Sequence, residues 1–376
     1  METTASELAQ IKAYHAPHYT IAAVDLVVWP LLLIVGARFL TRPLFSLASR
    51  VRLKSRVLER VWGDDSWAAT IAFALLYFGV FAVLTIPLEL WSFSHEREFG
   101  LTTESNGSWL FDSLKAHTVL VVAVTALAFG LFGVARRTAK WWWLVGIATS
   151  LVLVISTALD PYRSKLYVDQ APLRPGALRT KLTDTLARAQ VEFGEIVVVN
   201  TSEKSVRVQA AFAGTGPTRT ILLTDTLLAS MSESEIVAAV AHEAGHVSES
   251  RWPGRILTPL AVFALLAFVE FLFRRSERSG WFGITKRGDV RVLPLVLLTF
   301  DLVMMVATPV SAAFTREREL AADRLAVELT HDPASLVSLF EKLTRINKED
   351  PDPPRWYVLS GVTHPTVRER VAAIRK

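Results

Sequence analysis

The chain has no cysteine in 376 residues. Disulfides, thiolate metal sites and a cysteine nucleophile are therefore excluded, and any transition metal must rest on imidazole and carboxylate groups. Charge is also sparse. Charged residues make up 20% of the chain against 51% hydrophobic, and mean hydropathy is +0.33, too apolar for an ordinary soluble enzyme. No internal repeat or low-complexity segment is present. A net charge of +5 and a pI near 9.5 raise nucleic acid as a partner, but the cations fall in short clusters beside apolar runs. Membrane flanks account for them, and no nucleic-acid partner is expected.

A spanning helix needs roughly 20 apolar residues. Six segments qualify: 21–40, 67–90, 116–135, 141–159, 257–273 and 292–312. The first follows a polar stretch with one lysine, Lys12, and is followed by Arg38 and Arg42 rather than a small-residue cleavage site, so it reads as an anchor and not a cleaved signal. The chain thus divides into an N-terminal membrane domain with four spans (1–159), a polar half (160–256), a transmembrane hairpin (257–312) and a second polar half (313–376).

In the first polar half, Leu178 to Ala189 has helical apolar spacing. Glu195 to Asn200, Val206 to Phe212 and Thr218 to Thr224 are rich in Val, Ile, Thr and Phe and predict a small sheet. Ser232 with Glu235 forms a capping-box pattern, and Ile236, Val237, Val240 and Ala241 continue it into a helix over 233–249. Residues 348–356 read as a proline-broken loop.

That helix carries His242, Glu243 and His246 in the run AHEAGHV, a match to H-E-x-x-H. Four residues turn a helix by about 400° and advance it about 6 Å, so the two histidines share a face and can share one zinc ion. Glu243 flanks the open position of such a metal, where it takes a proton from bound water as general base. Small Ala244 and Gly245 between the ligands leave room for a substrate strand, and a glycine in a helix interior, ~1 kcal/mol worse than alanine, points to a packing or access requirement. The alternative is an ordinary helix whose histidines fall four apart by chance. Catalytic zinc also needs a third protein ligand. Glu317, Glu319 and Asp323 lie on a helical stretch after the last span, Glu319 and Asp323 sharing a face. Glu319 as ligand and Asp323 as acceptor for a histidine N–H complete the set; the alternative is a solvated helix paired by Arg316, Arg318 and Arg324.

HEAGH, a transmembrane hairpin and ELAAD at 319–323 together resemble the M48 peptidases, which include the Ste24 CAAX prenyl endopeptidases and the bacterial HtpX group. The resemblance covers most of the chain and is closer to the Ste24 branch. EREFGLTTES at 96–105, with Trp109 and Asp112, is similar to that branch's loop after a transmembrane helix. Ser205 to Gly214 and Thr220 to Leu228 are similar to the family's edge strand and the approach to its zinc helix. THPTVRERV resembles the family's H-P-x-x-x-x-R element, which implies that His364 and Arg370 lie near the active site, stabilising the oxyanion or orienting substrate. Two departures stand out. Gln209 and Ala210 replace the usual Asn-Ala, and four spans precede the zinc helix where eukaryotic Ste24 relatives have five.

Short cytoplasmic loops carry excess Lys and Arg. Arg42, Arg50, Arg52, Lys54, Arg56 and Arg60 lie in the first loop, Arg136, Arg137 and Lys140 in the third, and Arg274, Arg275, Arg278, Lys286 and Arg287 in the fifth. With six spans these loops share the cytoplasmic side, so the N-terminus and both polar halves face outward; the family resemblance implies a cytosolic site instead. Asp25, Glu270 and Asp301 would each cost at least ~2.5 kcal/mol facing lipid at mid-bilayer, so they are expected to face inward. Either internal pairing or interfacial placement explains them, or a hydrated chamber, as the resemblance implies. Trp91 and Trp141 to Trp143 sit at span ends as interfacial anchors. His15, His18, His95, His117 and His331 have no ligand spacing.

The expected fold is an α-helical multi-pass membrane protein of about six spans with a zincin-type, mainly α catalytic domain containing a small β-sheet. The expected activity is zinc-dependent endopeptidase action, one zinc per chain, on peptide or membrane-protein substrates at the lipid bilayer, in the cell membrane. Processing of prenylated C-terminal peptides is the rival within the class. A non-catalytic zinc protein is the rival outside it, and an intact Glu243 argues against that. No pattern in the sequence bears on oligomeric state.

Overall fold

The computed structural model describes residues 4–62, 66–164, 169–248, 252–280, 284 and 286–375. The membrane half runs α1 (Ala5–Val35), a π-helical turn (Gly36–Leu40), α2 (Thr41–Ala48), α3 (Arg56–Trp62), α4 (Trp67–Glu98), α5 (Asn106–Arg137) and α6 (Trp141–Ser164). Then come β1 (Gln170–Pro172), α7 (Ala177–Arg188), β2 (Glu195–Val199), β3 (Ala210–Ala213), β4 (Thr220–Thr224), α8 (Asp225–Ser230) and α9 (Glu233–Ser248). The chain ends with α10 (Trp252–Ser279), α11 (Leu293–Thr330), α12 (Pro333–Ile346), α13 (Arg355–Gly361) and α14 (Val367–Ile374).

All six apolar segments fall inside helices. Among the described residues, four helices are long and apolar enough to cross a bilayer: Ala5–Ala48, Trp67–Glu98, Asn106–Arg137 and Val290–Thr330; Trp141–Leu153 is a shorter apolar helix. Their outer faces carry large exposed apolar side chains, including Val27, Val83, Leu127 and Val306, as a lipid-facing surface requires.

The helices outrun the apolar stretches that marked them. α1 begins at Ala5, capped by a reciprocal Thr4–Glu7 box, so the polar preamble is helical. α4 continues eight residues past 90, α5 begins ten before 116, and α11 carries on from its span through Thr330 without a break. These polar extensions meet the peptidase half at one end. The His15 ring pairs with the Lys348 carbonyl at 2.7 Å, Tyr19 donates to Asp350 at 2.7 Å, and the loop after α4 pairs with 204–206 through Thr103 N–H to Lys204 O at 3.2 Å. The cationic loops gather at the other end. Arg136 donates to Gly288 O at 3.0 Å, Arg137 to Arg60 O at 2.6 Å, and Arg287 pairs with Glu270 at 3.2 Å.

The intramembrane carboxylates behave differently from one another. Glu270 is buried and accepts from the Trp141 indole at 2.6 Å and from Arg274 at 2.7 Å, so internal pairing explains it. Trp141 is accordingly fully buried, which corrects its reading as an interfacial anchor; Trp143 is half exposed, as an anchor should be. Asp301 keeps one buried carboxylate oxygen without a hydrogen-bond partner. Asp25 does not turn inward as expected. It is exposed, in a stretch of α1, 23–28, that is exposed on every face.

The sheet has order β1-β2-β4-β3, with β2 and β4 parallel and the outer pairs antiparallel. β3 is an edge strand, as the resemblance implied. It begins at Ala210 rather than Val206, because its partner β4 ends at Thr224, opposite Gln209, and the chain turns there into α8; the outward backbone groups of Val208 are taken by the Asn347 side chain at 2.9 and 3.1 Å. β1 escaped the sequence reading, being three residues long and ending in proline. A core of Leu182, Leu186, Ile196, Ile221, Leu223, Val240, Ala241 and Leu336 joins the sheet to α7, α9 and α12.

α9 occupies 233–248 as its periodicity predicts; the expected last residue, 249, lies outside the described residues. The capping box is formed, with Ser232 N–H donating to Glu235 at 2.7 Å and Glu235 N–H to Ser232 Oγ at 3.3 Å. Glu235 also accepts from Ser338 and Lys342 of α12, each at 2.7 Å. Burial raises its pKa, but these donors outweigh it and hold the carboxyl below the usual range. α9 lies against α11 at Gly245, where an added Cβ would sit 2.6 Å from Ala322 Cα and 2.7 Å from its Cβ. Between packing and substrate access, the geometry therefore favours packing as Gly245's role. Gly245→Val is expected to destabilise the protein by about 1–3 kcal/mol through overpacking. A thermal unfolding midpoint equal to wild type would refute the close crossing.

Candidate metal centre

The crossing of α9 and α11 sets four side chains in register. Gly245 lies between His242 and His246 on one helix, and Ala322 between Glu319 and Asp323 on the other. The two backbones approach closely there, so the polar side chains on either side of the contact point meet. His242 Nε2 is 3.3 Å from Glu319 Oε2, His246 Nε2 is 3.2 Å from Glu319 Oε1, and the two Nε2 atoms are 3.3 Å apart. One ligand atom from each of His242, His246 and Glu319 lies within 4.8 Å of the others.

The donor set fits a divalent metal on two grounds. Two imidazole nitrogens and one carboxylate oxygen match a three-ligand centre that keeps an open position. Glu319 Oε2 is, in addition, a buried oxygen with no hydrogen-bond partner, an arrangement that costs free energy unless a cation answers it.

Behind the ligands stands a second layer. His242 Nδ1 is 2.8 Å from Asp323 Oδ1, so the carboxylate fixes the ring with Nε2 turned toward Glu319. Arg370 of α14 grips Asp323 with two hydrogen bonds, Nε to Oδ2 at 2.8 Å and a terminal nitrogen to Oδ1 at 2.6 Å. Its guanidinium carbon rests 3.9 Å from the centre of the Phe340 ring, a cation–π contact that holds the fork in place. Burial works against a charge on His242, but the carboxylates of Asp323 and Glu319 beside it push its pKa up to about 9. Burial likewise raises Glu243's carboxyl, opposed by the neighbouring histidines.

Every site residue expected from the sequence except Glu317 comes to this place. Glu317 is exposed, on a face of α11 turned away from the histidines. His364 stands at the rim, its side chain 62% exposed, with Nε2 3.5 Å from Glu319 Oε1. Arg316 is no surface pair; it donates to the carbonyls of Val358 at 3.2 Å and Val362 at 2.7 Å, tying the segment that leads to His364 down onto α11. Phe340 and Arg316 were not foreseen. Nothing in the sequence marks Phe340, whereas Arg316 lies in the same charged run as Glu319. Among the other histidines, His15, His18 and His95 cluster around Tyr14 without forming a ligand group, and His117 pairs with Glu89 at 3.1 Å.

Comparison with known proteins agrees with this geometry. The family model "Peptidase family M48" matches residues 172–376, and "CAAX prenyl protease N-terminal, five membrane helices" matches residues 6–162. The chain is 28% identical over 319 residues to the uncharacterized metalloprotease YhfN of Bacillus subtilis, covering 82% of this chain and 73% of that protein. It is 24% identical over 332 residues to CAAX prenyl protease 1 of Saccharomyces cerevisiae, covering 81% and 73%. The crystal structure of S. mikatae Ste24p superposes with a TM-score of 0.85 at 20% identity, covering 100% of this chain and 90% of that one, which establishes a common fold. The chain is an integral multi-pass membrane metalloprotease and belongs to peptidase family M48.

Proposed function

We propose that the protein is a zinc-dependent endopeptidase acting on peptides or membrane-associated proteins. The observation that carries this reading is the His242–His246–Glu319 donor set with Glu243 on the same helix. Zinc held by these three residues supplies positive charge that polarises the scissile carbonyl and acidifies the attacking water. Glu243, its carboxyl pushed up by burial, takes the water proton and hands it to the leaving amine. Asp323 and Arg370 act as positioning residues, holding His242 in one tautomer. His364, at the rim, is placed to donate to the developing oxyanion. An extended substrate docks along the free edge of β3 by β-augmentation.

Glu243→Gln is expected to retain zinc and lose activity on casein or a quenched peptide by about 10²–10⁴-fold. Glu319→Ala is expected to lose the metal itself. Unchanged cleavage by the first variant, or a full zinc complement in the second by metal analysis, would overturn these assignments.

Processing of prenylated C-terminal peptides is the second reading. It is supported by the fold shared with S. mikatae Ste24p and by the CAAX prenyl protease N-terminal match over 6–162. It requires a farnesylated peptide to be cut faster than its unmodified form; equal rates would remove it.

The peptidase halves are proposed to face the extracytoplasmic side, with the cationic loops inside. The contacts that gather Arg136, Arg137 and Arg287 at the end away from the metal centre support this through the positive-inside rule. A reporter fused after Lys376 should be active only outside the cytoplasm. Cytoplasmic activity would reverse the orientation.

A further inference from the structure

An exposed sheet edge presents outward N–H and C=O groups on alternate residues. In β3 the inward set is fixed by the pairing of Gln209 with Thr224, whose N–H donates to Gln209 O at 3.1 Å, and by the register Ala211↔Leu222 and Ala213↔Thr220. Alternation therefore turns the backbone groups of Val208, Ala210 and Phe212 outward. Those of Ala210 and Phe212 have no hydrogen-bond partner among the described residues.

Val208 is different. Asn347, which caps α12, takes both of its outward groups: the side-chain oxygen accepts from Val208 N–H at 2.9 Å, and the side-chain nitrogen donates to Val208 O at 3.1 Å. A side-chain amide thus occupies the place of one residue of a paired strand. It is held firmly. Asn347 N–H donates to Leu343 O at 2.9 Å, its carbonyl accepts from Arg207 at 3.3 Å, and the next carbonyl, Lys348 O, meets the His15 ring at 2.7 Å. Beyond Val208 the edge is filled again by the loop after α4, with Val206 N–H donating to Leu101 O at 3.2 Å and an antiparallel bridge between Thr102 and Ser205. At the opposite end β3 stops at Gly214, whose φ of 82° turns the chain away.

A protein that merely shielded its sheet edge from aggregation would cover all of it. Here the cover stops short, and beside α9 the outward groups of two residues keep no partner among the described residues. We propose that Asn347 is a specificity-determining residue: its amide ends the peptide-docking edge of β3 at Ala210, so an extended substrate leaves the sheet there and gains nothing from further length on that side. This rests on the reading of β3 as the docking strand.

The test uses the full-length Glu243→Gln protein in detergent, loaded with zinc, and fluorescein-labelled peptides from its main casein cleavage site. Two series are lengthened one residue at a time, one toward the N-terminus and one toward the C-terminus. Kd should fall with length in both series and reach a plateau early in the series that runs toward Val208. In Asn347→Ala that plateau should move outward by two residues, tightening binding roughly two- to tenfold for each hydrogen bond gained. Asn347→Ser, too short to span both groups, should do the same with less disturbance to α12. Loss of stability alone would weaken all lengths alike and leave the plateau where it was.

No early plateau in either series, or a plateau that neither variant moves, would overturn the role of Asn347. Ala210→Pro separates this from failure of the docking strand, since proline removes an outward N–H without touching the pairing to β4. If Ala210→Pro weakens peptide binding while the Asn347 variants leave the plateau fixed, only the stop is wrong. If Ala210→Pro changes nothing, β3 is not the docking strand and both readings fall.

Discussion

The contact between Gly245 and Ala322 is the point on which the metal centre depends. Two helices can bring ligands from both sides of a crossing into one coordination sphere only if their backbones approach closely, and that approach requires minimal side chains at the point of contact. The chain places glycine between the histidines and alanine between the carboxylates. Intrinsic helix propensity opposes the glycine by about 1 kcal/mol, and the packing geometry outweighs it. The capping box at Ser232 and Glu235 then fixes where α9 starts, and the pairing of Glu235 with Lys342 ties it to α12, the helix that also supplies Phe340 beneath Arg370.

The same crossing joins membrane and catalysis. α11 is both a membrane-spanning helix and the carrier of Glu319 and Asp323, so the carboxylate of the candidate metal centre is held by an element anchored in the bilayer. α1 and α4 also project beyond their apolar stretches to grip the peptidase half, through His15, Tyr19 and the loop at 101–103. The peptidase half therefore does not hang from the membrane on a linker. Its attachment is set by helices whose main business is to span.

Much of the site was legible because its chemistry repeats at the period of a helix. His242 and His246, and Glu319 and Asp323, are each four apart, and only a shared face makes that spacing useful for a metal. Glu317 satisfied composition but not the face, which is why the structure leaves it in solvent. Trp141 was misread for a similar reason. An indole at a span end reads as an anchor, but its N–H is claimed by Glu270 from a helix 129 residues away, and no local pattern records such a partner. The strand at 206–212 was drawn too long because β-propensity cannot see that its partner β4 ends at Thr224 and leaves the residues before Gln209 without a ladder.

By itself, the sequence determined the features that local period and transfer free energy control: that long apolar helices cross a bilayer, though it counted six spans where four long ones and a shorter apolar helix stand among the described residues, that α9 is a helix with its cap at Ser232, and that the candidate metal ligands are histidine and carboxylate. These depend on neighbours within about a turn of helix, or on summed hydrophobicity. Only the tertiary structure decided that Gly245 serves the helix crossing, that Arg370 reaches Asp323, that Glu270 and Trp141 satisfy each other, and that the outward groups of two residues of β3, rather than four, lack a partner among the described residues. Each of these is a contact between residues far apart in the chain. Its energy depends on shape and distance that no spacing along the sequence encodes.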